Sequence, residues 1–398
     1  MRLVHISDLH LGFRQFQRST PSGANQREAD VAATFARVVD QIIAIAPDVV
    51  LVAGDVFHTV RPTNPAILHG FKQFGKLTES LPKAIVVVVA GNHDMPRSTD
   101  TRCILRLFET FGVHVADTDS RRLNFPDRDL FIQAVPELPG PAPALEPDPG
   151  ARWNILLAHG SVDGPTQPRW LAEELTMQIR HADIENPRWD YVALGHFHTY
   201  LKVAERAFYS GAIDYVSHGV WEERSDEERR KLPGKLFIER DLETGKQRVH
   251  KIESGRTFTD LPAIEGKGLS AADLDRDIQA AVARVRGGVD GKVLRLVLRD
   301  VPRHIMRELD YKALRDIQRR ALHFQLDARA PDIVLSRVGA GAPGRPPSLS
   351  EMLRDSLRTR VVASDIDREA LVELGLHYLR EAEHVAVVSD RPASEPAT

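Results

Sequence analysis

Five short apolar runs, each closing on a loop that carries Asp, Asn or His, constrain this chain more than any bulk property. They lie at residues 3–7, 49–54, 85–91, 155–159 and 191–195. Each is too short for a helix and rich in β-branched side chains, as expected of buried strands. Between the first two, residues 26–46 place Val31, Phe35, Val38, Val39, Ile42 and Ile43 at helical spacing. Residues 65–81 repeat the pattern with Ile67, Leu68, Phe71, Phe74 and Leu77. The alternation predicts an α/β fold with its chemistry where strands end in loops.

The loops read Asp8-Leu9-His10, Gly54-Asp55-Val56-Phe57-His58, Gly91-Asn92-His93-Asp94, His159-Gly160 and Gly195-His196-Phe197-His198. Carboxylate, amide oxygen and imidazole without thiolate suit Mn²⁺, Fe or Zn²⁺. In an extended segment, Asp-x-His and His-x-His put both side chains on one side, so they converge on one ion. The donors are Asp8, His10, Asp55, Asn92, His159, His196 and His198, too many for one ion that keeps a site open. They suit two ions sharing a bridging carboxylate, with Asp55 as the bridge. One ion would take Asp8, His10, Asp55 and His198; the other would take Asp55, Asn92, His159 and His196. Two ions about 3.5–4 Å apart clamp both oxygens of an in-line phosphoryl displacement and acidify a water.

His93 follows a ligand and is expected to be catalytic, donating to a phosphoryl oxygen or protonating the leaving group. Asp94 is expected to fix its tautomer and raise its pKa. His58 is a second phosphate-side candidate. Alone, each motif has a bland explanation: Asp55 as a turn residue, His159 as a satisfied strand-end histidine. The ordered set does not. His5, His69, His114, His181, His218, His250, His304, His323, His377 and His384 lack such context and are expected to be structural or superficial, His5 as a core hydrogen-bonder.

The chain has 398 residues, more than one core usually supports. Residues 136–150 are rich in proline and glycine and predict a surface loop. Residues 236–240 and 248–252 predict paired strands around Thr244-Gly245. Beyond about residue 254 the pattern changes to a helix over 271–285, a strand over 293–298, a helix over 311–321 and a strand over 324–328, a small α+β unit. Residues 339–347 (GAGAPGRPP) predict a linker. Residues 349–357 and 366–379 follow as two amphipathic helices, and the last ten or so residues as a frayed tail.

A net charge of -3 carries no global signature of a nucleic-acid binder, although a local groove or bound dications can still attract phosphate. Cys103 is the only cysteine, which rules out an internal disulfide. No stretch approaches the about 20 apolar residues that span a bilayer. The N-terminus opens as a strand rather than a leader, so no membrane association and a cytoplasmic location are expected.

The ordered set DLH, GDVFH, GNHD, HG and GHFH resembles the calcineurin-like metallophosphoesterase superfamily over the first 200 or so residues. The resemblance implies a four-layer fold, two packed β-sheets flanked by helices, with two metal ions, usually manganese or iron. Its motif ligands map onto the seven donors above, and its catalytic histidine onto His93. HISDLHLG, GDVFHTVRP, LAHGSV and DYVALGHFHTY look more specifically like the bacterial SbcD-type DNA-repair nuclease subunits, in which the position of His58 carries a second phosphate-side histidine. That implies a nuclease domain over 1–255, a capping α+β domain over 256–338, a linker over 339–348, a helical partner-binding segment over 349–385 and a disordered tail over 386–398. It further implies manganese-dependent exonuclease activity on DNA ends, single-strand endonuclease activity, an SbcC-like coiled-coil ATPase partner on the C-terminal helices, and a homodimer.

Two rivals stand beside this. A phosphatase or phosphodiesterase of small molecules uses the same core motifs but has no need of the roughly 140 residues that follow the core beyond about residue 255. A scaffold that has lost catalysis would have lost ligands, and none is missing. Arg14, Arg18, Arg61 and Arg97 are candidates for a DNA surface, each equally explained as a solvated loop charge.

Overall fold

The computed structural model describes residues 1–95, 103–163, 177–330, 348–359 and 367–389. The chain divides into two units, Met1–Pro331 and Asp332–Thr398.

The first unit opens with β1 (Arg2–Ile6), α1 (Gln26–Ile45), β2 (Val49–Ala53), α2 (Asn64–Ser80) and β3 (Ile85–Val89). A 3-10 helix over Ile104–Phe111 leads to β4 (His114–Ala116), β5 (Arg121–Phe125) and β6 (Leu130–Val135). Then come β7 (Trp153–His159), the short β8 (Ser161–Val162) and β9 (Gln178–Ile179), α3 (His181–Ile184) and β10 (Tyr191–Gly195). β11 (Leu201–Lys202), β12 (Ala207–Tyr209), α4 (Val220–Arg229), β13 (Leu236–Asp241) and β14 (Gln247–Lys251) complete two six-stranded sheets. Their orders are β14-β13-β1-β2-β3-β4 and β11-β12-β10-β7-β6-β5. β1 to β4 run parallel, as do β6, β7, β10 and β12, so the strands that carry the five loops end in the same direction within each sheet.

Strand periodicity sorts each sheet's side chains into two faces. Leu3, Val49, Leu51, Val87 and Val89 meet Ile132, Ile155, Leu157 and Tyr191 between the sheets. Val4, Ile6, Val50, Val52 and Val88 face outward onto Val31, Phe35, Val38 and Val39 of α1 and Phe74 and Leu77 of α2. The outer face of the second sheet, including Leu156, Val192 and Leu194, is covered by Met177, Ile179, Ile184 and Trp189. His5 lies in the inter-sheet layer with Nδ1 3.1 Å from the Tyr191 hydroxyl, and burial pushes its pKa down to about 3, so it is a core hydrogen-bonder as expected. Asn25 caps α1, accepting from the Arg27 and Glu28 N–H groups, and Thr63 caps α2 ahead of Pro65.

A third sheet follows, built from β15 (Phe258–Glu265), α5 (Ala271–Ala283), β16 (Val293–Arg299), α6 (Arg303–Arg307), α7 (Tyr311–Arg320) and β17 (His323–Ala328). Its order is β15-β16-β17 and both pairings are parallel. β15 is a strand the sequence pattern conceals: Pro262 falls inside it and its register shifts between Leu261 and Ile264. Both are tolerated because β15 is an edge strand. This sheet has its own core of Leu274, Ile278, Leu294, Leu296, Leu314 and Ile317. Arg27, fully buried, joins it to the rest: its guanidinium bonds Asp214 Oδ1 at 3.1 Å and the Tyr215 carbonyl at 2.8 Å, and lies 5.2 Å from the Phe258 ring. Phe16 stacks on His323 at 4.2 Å, and Trp221 Nε1 donates to Gln325 Oε1 at 2.7 Å.

The second unit contains α8 (Leu349–Thr359) and α9 (Arg368–Ser389). Ser348 and Glu351 form a reciprocal capping box at the start of α8. α9 runs past residue 385 to Ser389. The expected linker, apart from Ser348, and the tail beyond Ser389 lie outside the described residues. Among the described residues no helix is long and apolar enough to cross a membrane.

Candidate metal centre

The first two loops leave their strands side by side. Asp8 N–H donates to the Gly54 carbonyl at 3.0 Å, His10 N–H to Asp55 at 2.9 Å and Leu11 N–H to Val56 at 2.9 Å, continuing the parallel ladder past the strand ends. Asp8, His10 and Asp55 have φ of 52°, 46° and 51°, a region that Asp and His enter more readily than other non-glycine residues and where strain gathers at functional sites. These bends turn their side chains toward a common point. Gly91 is required there, because a Cβ would collide with the Asp55 carboxylate.

Five loops thereby converge. Asp55 Oδ2 lies 3.6 Å from His10 Nε2 and 3.5 Å from His159 Nε2. His10 Nε2 and His198 Nε2 are 3.1 Å apart, and Asn92 Oδ1 is 3.1 Å from His159 Nε2. The backbone N–H of His196 is 3.2 Å from each Asp8 carboxylate oxygen, and its ring is 5.4 Å from that of His159. Donor atoms of Asp8, His10 and His198 lie within 4.8 Å of one another, and so do those of Asp8, Asp55 and His159. All seven sequence-predicted donors are in this cluster.

The electrostatics suit a cation. Burial, reinforced by the surrounding histidines, holds His10 and His198 well below the ordinary imidazole range. In His198 the Lys235 ammonium adds to the effect. Burial also takes His159 to about 4 and His196 to about 3, so these rings keep a lone pair at neutral pH. Burial, and then the charge of Asp55, pushes Asp8 well above the carboxylate range. Crowded neutral imidazoles beside two buried carboxylates are costly for the protein alone, and divalent cations relieve that cost. His159 Nδ1–H donates to the Ala53 carbonyl at 2.8 Å, which aims its Nε2 lone pair into the cluster. Carboxylate, amide and imidazole donors gathered around the Asp55 carboxylate make a set that fits divalent metal.

His93 sits beside this cluster, half-buried, its ring 4.8 Å from His10 and stacked 5.2 Å from His58. Its Nδ1 bonds the His58 carbonyl at 2.7 Å. His58 Nδ1 is 3.2 Å from His10 Nδ1, and burial brings its pKa down to about 4. Asp94 departs from expectation. Its carboxylate does not orient the His93 imidazole, because it is taken up by the backbone N–H groups of Phe57 at 2.9 Å, Val56 at 3.0 Å and Gly91 at 3.1 Å. Asp94 therefore locks the second loop to the third, and the tautomer of His93 is set by a carbonyl.

Several contributors carried no sequence signal. Lys235, 3% exposed, donates from Nζ to the His198 carbonyl at 2.9 Å and pairs with Glu223 at 2.5 Å and Glu227 at 3.3 Å. Glu223 Oε1 reaches within 3.9 Å of His198 Nδ1. The run WEERSDEER in α4 looks like a solvated helix, and only the tertiary fold shows Glu223 and Glu227 turned inward. A cavity of about 430 Å³ opens beside the cluster, lined by Asn92, His93, His198, Phe197 and the start of α4. Of the basic candidates, Arg14 is paired with Glu28 at 2.7 Å, and Arg18 bonds the Gln318, Arg319 and Ala321 carbonyls at the end of α7. Arg61 is exposed, and Arg97 lies outside the described residues.

The sequence model of the calcineurin-like phosphoesterase family matches residues 1–200, a span that contains all five loops. Among curated proteins, the chain is similar to the DNA double-strand break repair protein Mre11 of Methanocaldococcus jannaschii, 30% identical over 246 residues, 60% of this chain and 61% of that protein. The Methanococcus maripaludis Mre11 is 36% identical over 209 residues, covering 50% of this chain and 52% of that protein. The Methanosarcina mazei Mre11 is 24% identical over 388 residues, covering 85% and 58%. The chain thus spans about half to three-fifths of the length of these relatives. With the two packed sheets in place and the family match running through every loop of the metal cluster, the chain belongs to the calcineurin-like phosphoesterase family.

Proposed function

We propose that the chain is a two-metal phosphodiesterase that cuts DNA, a repair nuclease acting on DNA ends. The observation that carries this is the place of Asp55 Oδ2, 3.6 Å from His10 Nε2 and 3.5 Å from His159 Nε2, between two sets of donors. Asp8, His10, Asp55 and His198 hold one ion, Asp55, Asn92, His159 and His196 the other, and manganese is the preferred metal. Bound ions supply Lewis-acid charge and an activated water at neutral pH. His93 has Nδ1 committed to the His58 carbonyl, so Nε2 is the atom that meets the substrate. From Nε2 it donates a hydrogen bond to a phosphoryl oxygen or hands a proton to the leaving oxygen. His58 steadies the same side of the phosphate. Asp94 keeps the loops in register.

The choice of DNA follows the similarity to Mre11 proteins, whose name states double-strand break repair. The partner is an SbcC-like coiled-coil ATPase, received by the helical pair α8–α9, which exposes Leu349, Met352, Leu374 and Tyr378. A homodimer forms through α2 and the neighbouring 3-10 helix, where Leu68, Phe71 and Leu107 are exposed. The rival, a small-molecule phosphodiesterase, draws on the net charge of -3 and on Arg14 and Arg18 being engaged within the protein.

The test is manganese-dependent degradation of end-labelled duplex DNA beside bis-p-nitrophenyl phosphate, with Asn92→Ala as control. Cleavage of both, lost in the control, is expected. Cleavage of the small diester alone, with or without an added coiled-coil ATPase, favours the rival.

A further inference from the structure

His218 has no part in the roles proposed above, yet the turn that carries it is tied to a residue of the metal cluster. Ser217 Oγ donates to Glu223 Oε2 at 3.0 Å, Glu223 Oε1 pairs with Lys235 Nζ at 2.5 Å, and Lys235 Nζ donates to the His198 carbonyl at 2.9 Å. Since Glu223 and Lys235 are buried, this chain of contacts fixes residues 217–219 in register with His198. Ser217 and Gly219 line the cavity of about 430 Å³ that Asn92 and His93 also line. His218 is exposed between them. Its ring lies 6.2 Å from that of Phe13, and Phe13, fully buried, meets His58 edge-on at 4.9 Å. His58 and His218 therefore flank the buried Phe13 ring, with His58 stacked on His93 and His218 one ring further away.

The charge along this wall decides where a phosphate fits. Further into α4 the lining becomes acidic, with Glu222 and Asp226, the latter already paired with Arg230 at 2.7 Å. A phosphate meets least repulsion at the His218 end, where an imidazole N–H is available. The geometry points to His218 as a specificity residue that donates a hydrogen bond to the phosphate adjacent to the scissile one in a polynucleotide strand. A small diester has no such phosphate and makes no use of it. This rests on the polynucleotide reading above.

The experiment uses the full chain loaded with manganese and compares His218→Ala and His218→Phe with wild type on a labelled single-stranded oligonucleotide and on bis-p-nitrophenyl phosphate. Oligonucleotide affinity is read separately by fluorescence anisotropy in calcium, and metal content by mass spectrometry. Both variants are expected to weaken oligonucleotide binding and raise its KM by about five- to tenfold, the size of one hydrogen bond. Diester hydrolysis and metal content stay as in wild type. His218→Phe keeps the aromatic bulk beside Phe13, so a loss confined to His218→Ala would mean packing and overturn the inference. So would unchanged oligonucleotide affinity, or equal losses on both substrates. A wild type that hydrolyses the diester and neither binds nor cuts the oligonucleotide overturns the polynucleotide reading, and this inference with it.

Discussion

Replacing Arg27 with methionine tests how the third sheet is joined to the rest of its unit. Arg27 and Asp214 are both fully buried and pair at 3.1 Å. Asp214 also accepts from Thr34 Oγ1 at 2.8 Å, Ser254 Oγ at 2.7 Å and its neighbour Tyr215 N–H at 2.7 Å. Burial alone would raise its pKa; the Arg27 charge and these donors overcome burial and hold Asp214 below the ordinary carboxylate range. Asp30, the other partner of Arg27, keeps Arg256 at 2.7 Å, so Asp214 is the carboxylate left without a counter-charge. Removing one member of a buried pair costs about 3–5 kcal/mol. The pH dependence should reverse as well. In wild type the depressed pKa contributes stability above the unfolded-state value, lost as pH falls through the folded one. In Arg27→Met, burial wins and Asp214 is raised, so stability is greatest in acid and falls as pH rises. Urea unfolding followed by circular dichroism at pH 4 to 8 measures both effects. A cost below about 1 kcal/mol, or an unchanged pH slope, would refute the reasoning. Arg27→Met with Asp214→Leu should recover much of the loss.

Other outcomes follow from the metal cluster and the C-terminal unit. His93→Ala should retain wild-type metal content while bis-p-nitrophenyl phosphate turnover falls about 10²- to 10⁴-fold; metal loss measured by mass spectrometry would make His93 a ligand instead. Asp94→Ala should destabilise by at least about 2 kcal/mol, because three backbone N–H groups lose their acceptor, and Asp94→Asn by about 1 kcal/mol or more, because its NH2 faces at least one of those N–H groups in place of an acceptor. A stable Asp94→Asn with reduced turnover, seen by calorimetry beside kinetics, would restore a catalytic role. Deleting the residues after 339 should leave diester hydrolysis intact and abolish association with a coiled-coil ATPase in size-exclusion chromatography. Loss of metal on that deletion would contradict it.

The strands that carry the site were legible because a buried parallel strand is an apolar β-branched run with few alternatives, as in VVLVA of β2 and IVVVV of β3. Some edge strands were not, although β14 and β17 were. β5 (RRLNF) is largely exposed with two arginines, and β15 contains a proline that a central strand would exclude. The same division holds in the site. Donor residues were legible because each loop is a local motif at a strand end. The roles of Asp94, Arg18, Glu223 and Lys235 were not, since each is decided by partners distant in sequence: Asp94 by backbone N–H groups 37 and 38 residues away, Arg18 by carbonyls about 300 residues away. An acid beside a histidine suggests a pair in sequence; the fold gave the acid backbone partners and the histidine a carbonyl.

The most direct test of the account is manganese stoichiometry, measured after equilibrium dialysis together with the electron paramagnetic resonance spectrum of the loaded protein. Sharing of the Asp55 carboxylate predicts two ions per chain with exchange-coupled spins, and loss of that coupled spectrum in Asp55→Ala with a fall in stoichiometry. A single uncoupled ion per chain that supports full hydrolysis, or an Asp55→Ala protein that still binds a coupled pair, would contradict it.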